Sequence, residues 1–121
     1  MKNITEKVKT FEDALAITGR PSTPDFSNVP EDMKEYFEGQ YQMIVITEAL
    51  NEGWIPYWAN NKQRKWVPWF WVSSSGFVFG DTFCYYSYAG YGSRLCFKNE
   101  ALARYAGQQF IDIWSKILLK K

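Results

Sequence analysis

Aromatic residues are concentrated in one stretch of this sequence, from Trp54 to Phe97. That stretch holds 15 of the chain's 23 aromatic residues and five of its six tryptophans. Within it, short segments rich in aromatic and β-branched residues are separated by glycine, serine and aspartate, a pattern typical of an antiparallel meander. The four predicted strands are Trp66–Val72, Phe77–Phe79, Phe83–Tyr88 and Arg94–Phe97.

Three amphipathic patterns flank the aromatic stretch, and each has residues suited to start or end a helix. The predicted helices extend from Thr10 to Gly19, from Pro30 to about Glu52 and from Asn99 to about Leu118. Small residues in the last pattern, among them Gly107, favour a close approach to the sheet or to the second helix. The fold prediction is an α+β domain: a four-stranded antiparallel β-meander with two N-terminal helices and one C-terminal helix packed on one face.

The length of 121 residues indicates a single domain over residues 1–121, with a loosely ordered N-terminal segment at residues 1–9. That segment carries charges where a secretory signal would be apolar, and no apolar run reaches the roughly 18 residues of a membrane span. We therefore expect a cytoplasmic protein that does not bind membranes. If the last hairpin is symmetric about Gly90, Cys84 faces Cys96 across it, and we expect both to be free, buried thiols.

The sequence has no histidine, the commonest general base and metal ligand. We identify no catalytic residues, no metal ligands and no cofactor motif, because the glycines lie in turns rather than between a strand and a helix. Glu48 and Glu52, one helical turn apart, are the one carboxylate pair near the aromatic stretch that could support acid–base chemistry. The expectation is therefore a protein that is not an enzyme.

Charge is divided unevenly along the chain. Residues 1–53 have a net charge of −5, whereas residues 54–98 have a net charge of +4, so basic side chains accompany the aromatic ones. Exposed aromatic and basic residues together are suited to binding a partner. The candidate binding-surface residues are Trp54, Tyr57, Trp58, Arg64, Lys65, Trp69, Trp71, Tyr86, Tyr88 and Arg94.

Three functional hypotheses follow from this composition. The leading one is a small, non-enzymatic interaction module that binds a protein partner or a second copy of itself through an aromatic surface. The alternative is sequence-tolerant binding of single-stranded nucleic acid, in which bases stack on rings beside Arg64 or Arg94. A carboxylate-based enzyme is third. A further alternative is that the Trp54–Trp58 segment covers the outer sheet face and leaves no ring exposed.

Four strings carry a resemblance to other proteins: Glu48–Trp54, Trp66–Phe70, Ser93–Lys98 and Leu102–Phe110. Over residues 10–118 the chain resembles short uncharacterised proteins encoded by phages and integrated elements of gut Bacteroidetes. The resemblance implies a cellular context and no particular chemistry.

Overall fold

The structure is a computed structural model and describes residues 3–120. Over that range the chain is an α+β fold with five α-helices and one two-stranded antiparallel sheet. Two short 3-10 helices, Glu31–Met33 and Ser93–Leu95, complete it. The elements are α1 (Ile4–Lys7), α2 (Phe11–Thr18), α3 (Lys34–Asn51), β1 (Lys65–Ser73), β2 (Gly76–Tyr85), α4 (Glu100–Gln109) and α5 (Ile111–Leu118).

The N-terminal segment predicted to be loosely ordered contains α1 and the fully buried side chain of Val8. Part of that prediction, at Met1 and Lys2, lies outside the described residues, as does Lys121 at the other end of the domain.

Local capping defines α2, as the sequence predicted. The Thr10 hydroxyl accepts a hydrogen bond from the Asp13 amide at 3.1 Å, and the Asp13 carboxylate accepts one from the Thr10 amide at 3.1 Å. This reciprocal pair satisfies donors that the first helical turn leaves unpaired. Gly19 ends the helix in the left-handed conformation, with φ of 72°.

The long helix α3 is central because its second half is apolar nearly all round. Met43, Ile46 and Leu50 are fully buried there. The helix packs between α2 on one side and α5 on the other. A helix that is apolar on all sides is stable only when its neighbours cover each side, because an apolar side chain left in water gains no stabilisation from burial.

The predicted four-stranded meander is wrong, because the aromatic stretch forms a single long hairpin. The turn at Ser73–Gly76 is where the sequence predicted it. Gly80–Asp81, however, is not a turn: it lies inside β2, where Trp69 pairs with Asp81 and Phe70 pairs with Phe79. The extra residue is a β-bulge, in which glycine is as well suited as in a turn.

The predicted fourth strand is also absent from the described chain. Ser93–Leu95 is a 3-10 turn, and of this segment Phe97 alone bridges the sheet, through two backbone hydrogen bonds with Trp66 of 3.0 and 2.7 Å. Trp66 pairs with Cys84 on its other side. Cys84 and Phe97 therefore lie on opposite sides of β1, about 10 Å apart at the backbone. Cys84 and Cys96 are free, as predicted, but only Cys96 is buried, and the two do not face each other across a hairpin.

The predicted C-terminal helix is two helices, α4 and α5, joined at Phe110. The prediction of two N-terminal helices and one C-terminal helix is therefore wrong. Apolar periodicity continues across Phe110 without a glycine or proline, so the sequence gives no signal of the break. Beyond it, Trp114 is fully buried and its indole N–H donates to the carbonyl oxygen of Ala106 at 3.1 Å.

One face of the hairpin packs on α4 and α5. The Phe70 ring lies 5.8 Å from the Trp114 ring and 6.2 Å from the Phe79 ring. Gly107 permits the closest approach of α4, because an added Cβ would lie 2.7 Å from the Phe79 ring and 2.8 Å from Pro68. Helix packing gives this isolated two-stranded sheet the support that it would lack in water.

Candidate functional site

The opposite face of the hairpin is partly uncovered. Trp69, Trp71, Val78 and Phe83 point to this side, and we refer to these four side chains as the outer hairpin face. Trp71 is 63% exposed and its cross-strand partner Val78 is 53% exposed. The Trp71 ring meets the Trp69 ring edge-on at 5.1 Å between centroids.

The β-bulge at Gly80 determines where the Trp69 ring lies on the outer hairpin face. An added Cβ at Gly80 would overlap the Trp69 ring, so the indole lies directly on the glycine backbone. Trp71 then extends beyond it toward the hairpin tip, with Trp69 and Val78 as its neighbours. The Trp71 ring is thus presented to solvent from a paired strand rather than from a loop, with the half-buried Trp69 ring beside it.

The other end of the same face is covered. Trp54 and Trp58 pack against a small cluster formed by Val67, Tyr85 and Cys96. The Trp54–Trp58 segment therefore covers this end of the face, but the alternative in which it leaves no ring exposed is wrong, because Trp71 stays 63% exposed. Burial raises the pKa of the Cys96 thiol to about 11.

Lys65 belongs to this covered end and is fully buried. Its ammonium group donates to the carbonyl oxygens of Asn60, at 3.1 Å, and Tyr86, and lies 5.1 Å from the centroid of the Trp58 ring. Two carbonyls and a ring face together solvate the charge. Lys65, Trp58 and Tyr86 are thus brought together, but the ammonium is enclosed by the fold.

The outer hairpin face has no free charge. Within β1 and β2, which are described throughout, the register places two charged residues on this side: Lys65, which is buried, and Asp81, whose carboxylate turns toward α4 at the bulge. Asp81 forms an ion pair with Arg104 of α4 at 2.6 Å. A hydrogen bond from the Thr82 amide and the neighbouring Arg104 guanidinium lower the pKa of the Asp81 carboxyl. The exposed rings are therefore part of an apolar surface.

The structure separates the predicted basic residues from these rings. Arg64 precedes β1, and its guanidinium lies 5.9 Å from the Trp66 ring centroid, on the opposite side of the sheet. Seven residues of strand, about 23 Å, separate it from Trp71. Arg94 lies on the 3-10 turn beside Trp54.

The remaining candidates are three tyrosines, none of which lies on the outer hairpin face. Tyr57 is 64% exposed in the loop before β1, and its backbone amide donates to the Gln63 side chain at 2.7 Å. Tyr88 lies edge-on to Tyr85 at 5.1 Å, and Tyr86 is 39% exposed just after β2.

A second feature is a cleft of about 360 Å³ beside the C-terminal half of α3, here named the α3 cleft. One wall is the helix face at Ile44, Thr47, Glu48 and Asn51, whose spacing of three and four residues places them in one row. The opposite wall combines the chain after α3 with the 3-10 turn and the loop after α2. Its residues are Gly53, Trp54, Ile55, Pro56, Ser93, Arg94 and Arg20.

The two predicted carboxylates do not act as a pair. Glu48 accepts two hydrogen bonds from Arg20, of 2.9 and 3.2 Å. Glu52 lies outside the α3 cleft and contacts the Lys98 ammonium at 3.3 Å. Each carboxylate is therefore committed to its own cation rather than sharing a proton with the other.

Sequence reasoning missed Val78 and Phe83 on the outer hairpin face and Arg20 and Ile44 in the α3 cleft. The strand pattern could have identified Val78, because it alternates with Phe77 and Phe79. Arg20 gave no local signal, since it meets Glu48 across 28 positions of sequence.

Comparisons with protein-family models, with curated proteins and with solved structures find no match to this chain. The resemblance to phage-encoded proteins therefore stays a prediction. Over residues 3–120, no helix combines the length and apolar character needed to cross a membrane. In the same range, no three acidic or cysteine side chains converge where they could hold a metal ion.

Proposed function

We propose that this protein is an interaction module that binds protein through the outer hairpin face, and that the bound protein is a second copy of the chain. The observation that carries the proposal is the exposure of Trp71 and Val78 as cross-strand neighbours on the hairpin. Tryptophan is among the residues that most often anchor protein interfaces, because a large ring is desolvated with little loss of conformational entropy.

A second copy is the occupant that the charge distribution favours. In a two-fold symmetric dimer the same patch meets itself, so an unpaired charge would meet a like charge. The one acid whose register position is on this side, Asp81, is paired with Arg104 of α4. Apolar contact between the two Trp71 side chains then involves no repulsion.

The outer hairpin face consists of only four side chains, which is few for a stable interface. An apolar patch of a few hundred Å² is typical for one small protein, whereas stable complexes bury about 800 Å² per partner. We therefore expect a weak dimer that forms with rising concentration, with a dissociation constant in the micromolar range or above.

The test is sedimentation velocity over a concentration series, with two variants matched in exposure. Trp71 is 63% exposed and Tyr57 is 64% exposed, but only Trp71 lies on the outer hairpin face. Trp71→Ser should weaken dimerisation by at least about tenfold, the effect of removing an interface anchor. Tyr57→Ser should leave it unchanged. A wild-type protein that remains monomeric at every attainable concentration would refute self-association.

Nucleic acid binding has less support than this proposal. It needs basic side chains beside the exposed rings, and the two arginines predicted for that role lie at Trp66 and at Trp54 instead. An origin in a phage or integrated element and a cytoplasmic location are part of the proposal and rest on the sequence alone.

A further inference from the structure

The α3 cleft has the size and lining of a small-molecule site. Its volume of about 360 Å³ lies within the range of roughly 300–1,000 Å³ typical of ligand pockets. Four side chains supply apolar surface: Ile44, Trp54, Ile55 and Pro56. Ile55 is 79% exposed, which is unusual for an isoleucine and gives the cleft an apolar rim.

Most polar groups of the cleft are already committed to the fold. Thr47 donates to the Met43 carbonyl at 2.7 Å. The Asn51 amide donates to the Cys96 carbonyl at 2.9 Å, and its oxygen accepts from the Lys98 amide at 3.1 Å. These groups shape the wall and have little left for a ligand.

The uncommitted groups are hydrogen-bond donors. Over residues 3–120, the Arg94 guanidinium has neither a hydrogen bond nor an ion pair. Ser93 accepts from the Trp58 indole at 2.6 Å, which leaves its own hydroxyl proton free to donate. The charged lining is Arg20 and Arg94 against Glu48, a net charge of +1.

We propose that the α3 cleft binds a small organic carboxylate with an aromatic or branched aliphatic body. The carboxylate accepts hydrogen bonds from the Arg94 guanidinium and the Ser93 hydroxyl, an arrangement that guanidinium geometry favours. The apolar body lies against Trp54 and Ile44. A single negative charge matches the lining, whereas a second one would be repelled by Glu48. The site is separate from the outer hairpin face and does not depend on self-association.

The test uses phenylacetate as the probe and phenylacetamide, which has the same shape and no charge, as its control. Binding to the full chain is followed by the shift of the Trp54 indole N–H resonance, assigned by its loss in Trp54→Phe. Phenylacetate should shift this resonance in a saturable way, and phenylacetamide should bind about tenfold more weakly or worse. Absence of a saturable shift with phenylacetate, or equal binding of the two probes, would overturn the proposal.

Three substitutions test which charged side chains recognise the carboxylate of the probe. Arg94→Gln should weaken phenylacetate binding by about tenfold, the effect of losing a charge-assisted hydrogen bond. Glu48→Gln should strengthen phenylacetate binding, because it removes a negative charge that repels the carboxylate of the probe. Arg64→Gln, the same change at an exposed arginine beside Trp66, should leave it unchanged. Equal losses in Arg94→Gln and Arg64→Gln would show only a general charge effect and would also overturn the proposal.

Discussion

Replacing Gly107 with alanine should lower the free energy of unfolding by about 1 kcal/mol, although alanine is the better helix former. Gly107 lies in α4 where that helix meets the hairpin. In an open helix the substitution would stabilise by about 1 kcal/mol, because glycine loses more backbone entropy on folding. Packing against the sheet reverses that sign.

The magnitude follows from three contacts. The added Cβ would lie 2.7 Å from two ring carbons of Phe79 and 2.8 Å from the Pro68 Cβ. Carbon atoms in contact prefer separations of about 3.5–4.0 Å, so the helix or the sheet must move by nearly 1 Å. Overpacking of this kind costs about 1–3 kcal/mol, and the helix preference offsets part of it.

The assay is urea unfolding followed by tryptophan fluorescence and far-ultraviolet circular dichroism, with Gly39→Ala as the matched control. Gly39 is also a buried helical glycine, but an added Cβ there would lie 3.0 Å from the Lys116 Cβ and require a shift of only a few tenths of an ångström. We expect Gly39→Ala to be within about 0.5 kcal/mol of the wild type. If Gly107→Ala proves as stable as Gly39→Ala, α4 does not pack on the hairpin as described.

Two further predictions concern Cys96 and the residues around it. In the folded protein the Cys84 thiol should react rapidly with a disulfide reagent at pH 8, and the Cys96 thiol slowly. Cys96 is buried and its pKa is raised to about 11, whereas Cys84 is only half-buried. Equal reaction rates of the two thiols before denaturation would contradict this prediction. Asn51→Ala should destabilise by about 2 kcal/mol, because the buried Cys96 carbonyl and the partly buried Lys98 amide lose their partners. Asn61→Ala, at an exposed position, should be neutral in the same unfolding assay.

Sequence reasoning was sound where the signal is local. Thr10 with Asp13 and Gly19 specify the ends of α2 through contacts within a few residues. The turn after Ser73 is likewise specified by its own residues. Sequence reasoning failed where the same residues suit two structures. Gly80 followed by Asp81 is as compatible with a bulge as with a turn, and the facing ring of Trp69 favours the bulge.

Local residue patterns were enough to predict an α+β domain, the positions of α2 and the hairpin turn, and strands within the aromatic stretch. They could not predict which rings remain exposed, because exposure depends on what packs over each face: Trp54 and Trp58 cover Val67 and leave Trp71 open. The α3 cleft was also invisible in the sequence. It joins Arg20, Glu48 and Arg94, which lie far apart in the chain, and contacts between distant segments leave no periodic signal in either of them.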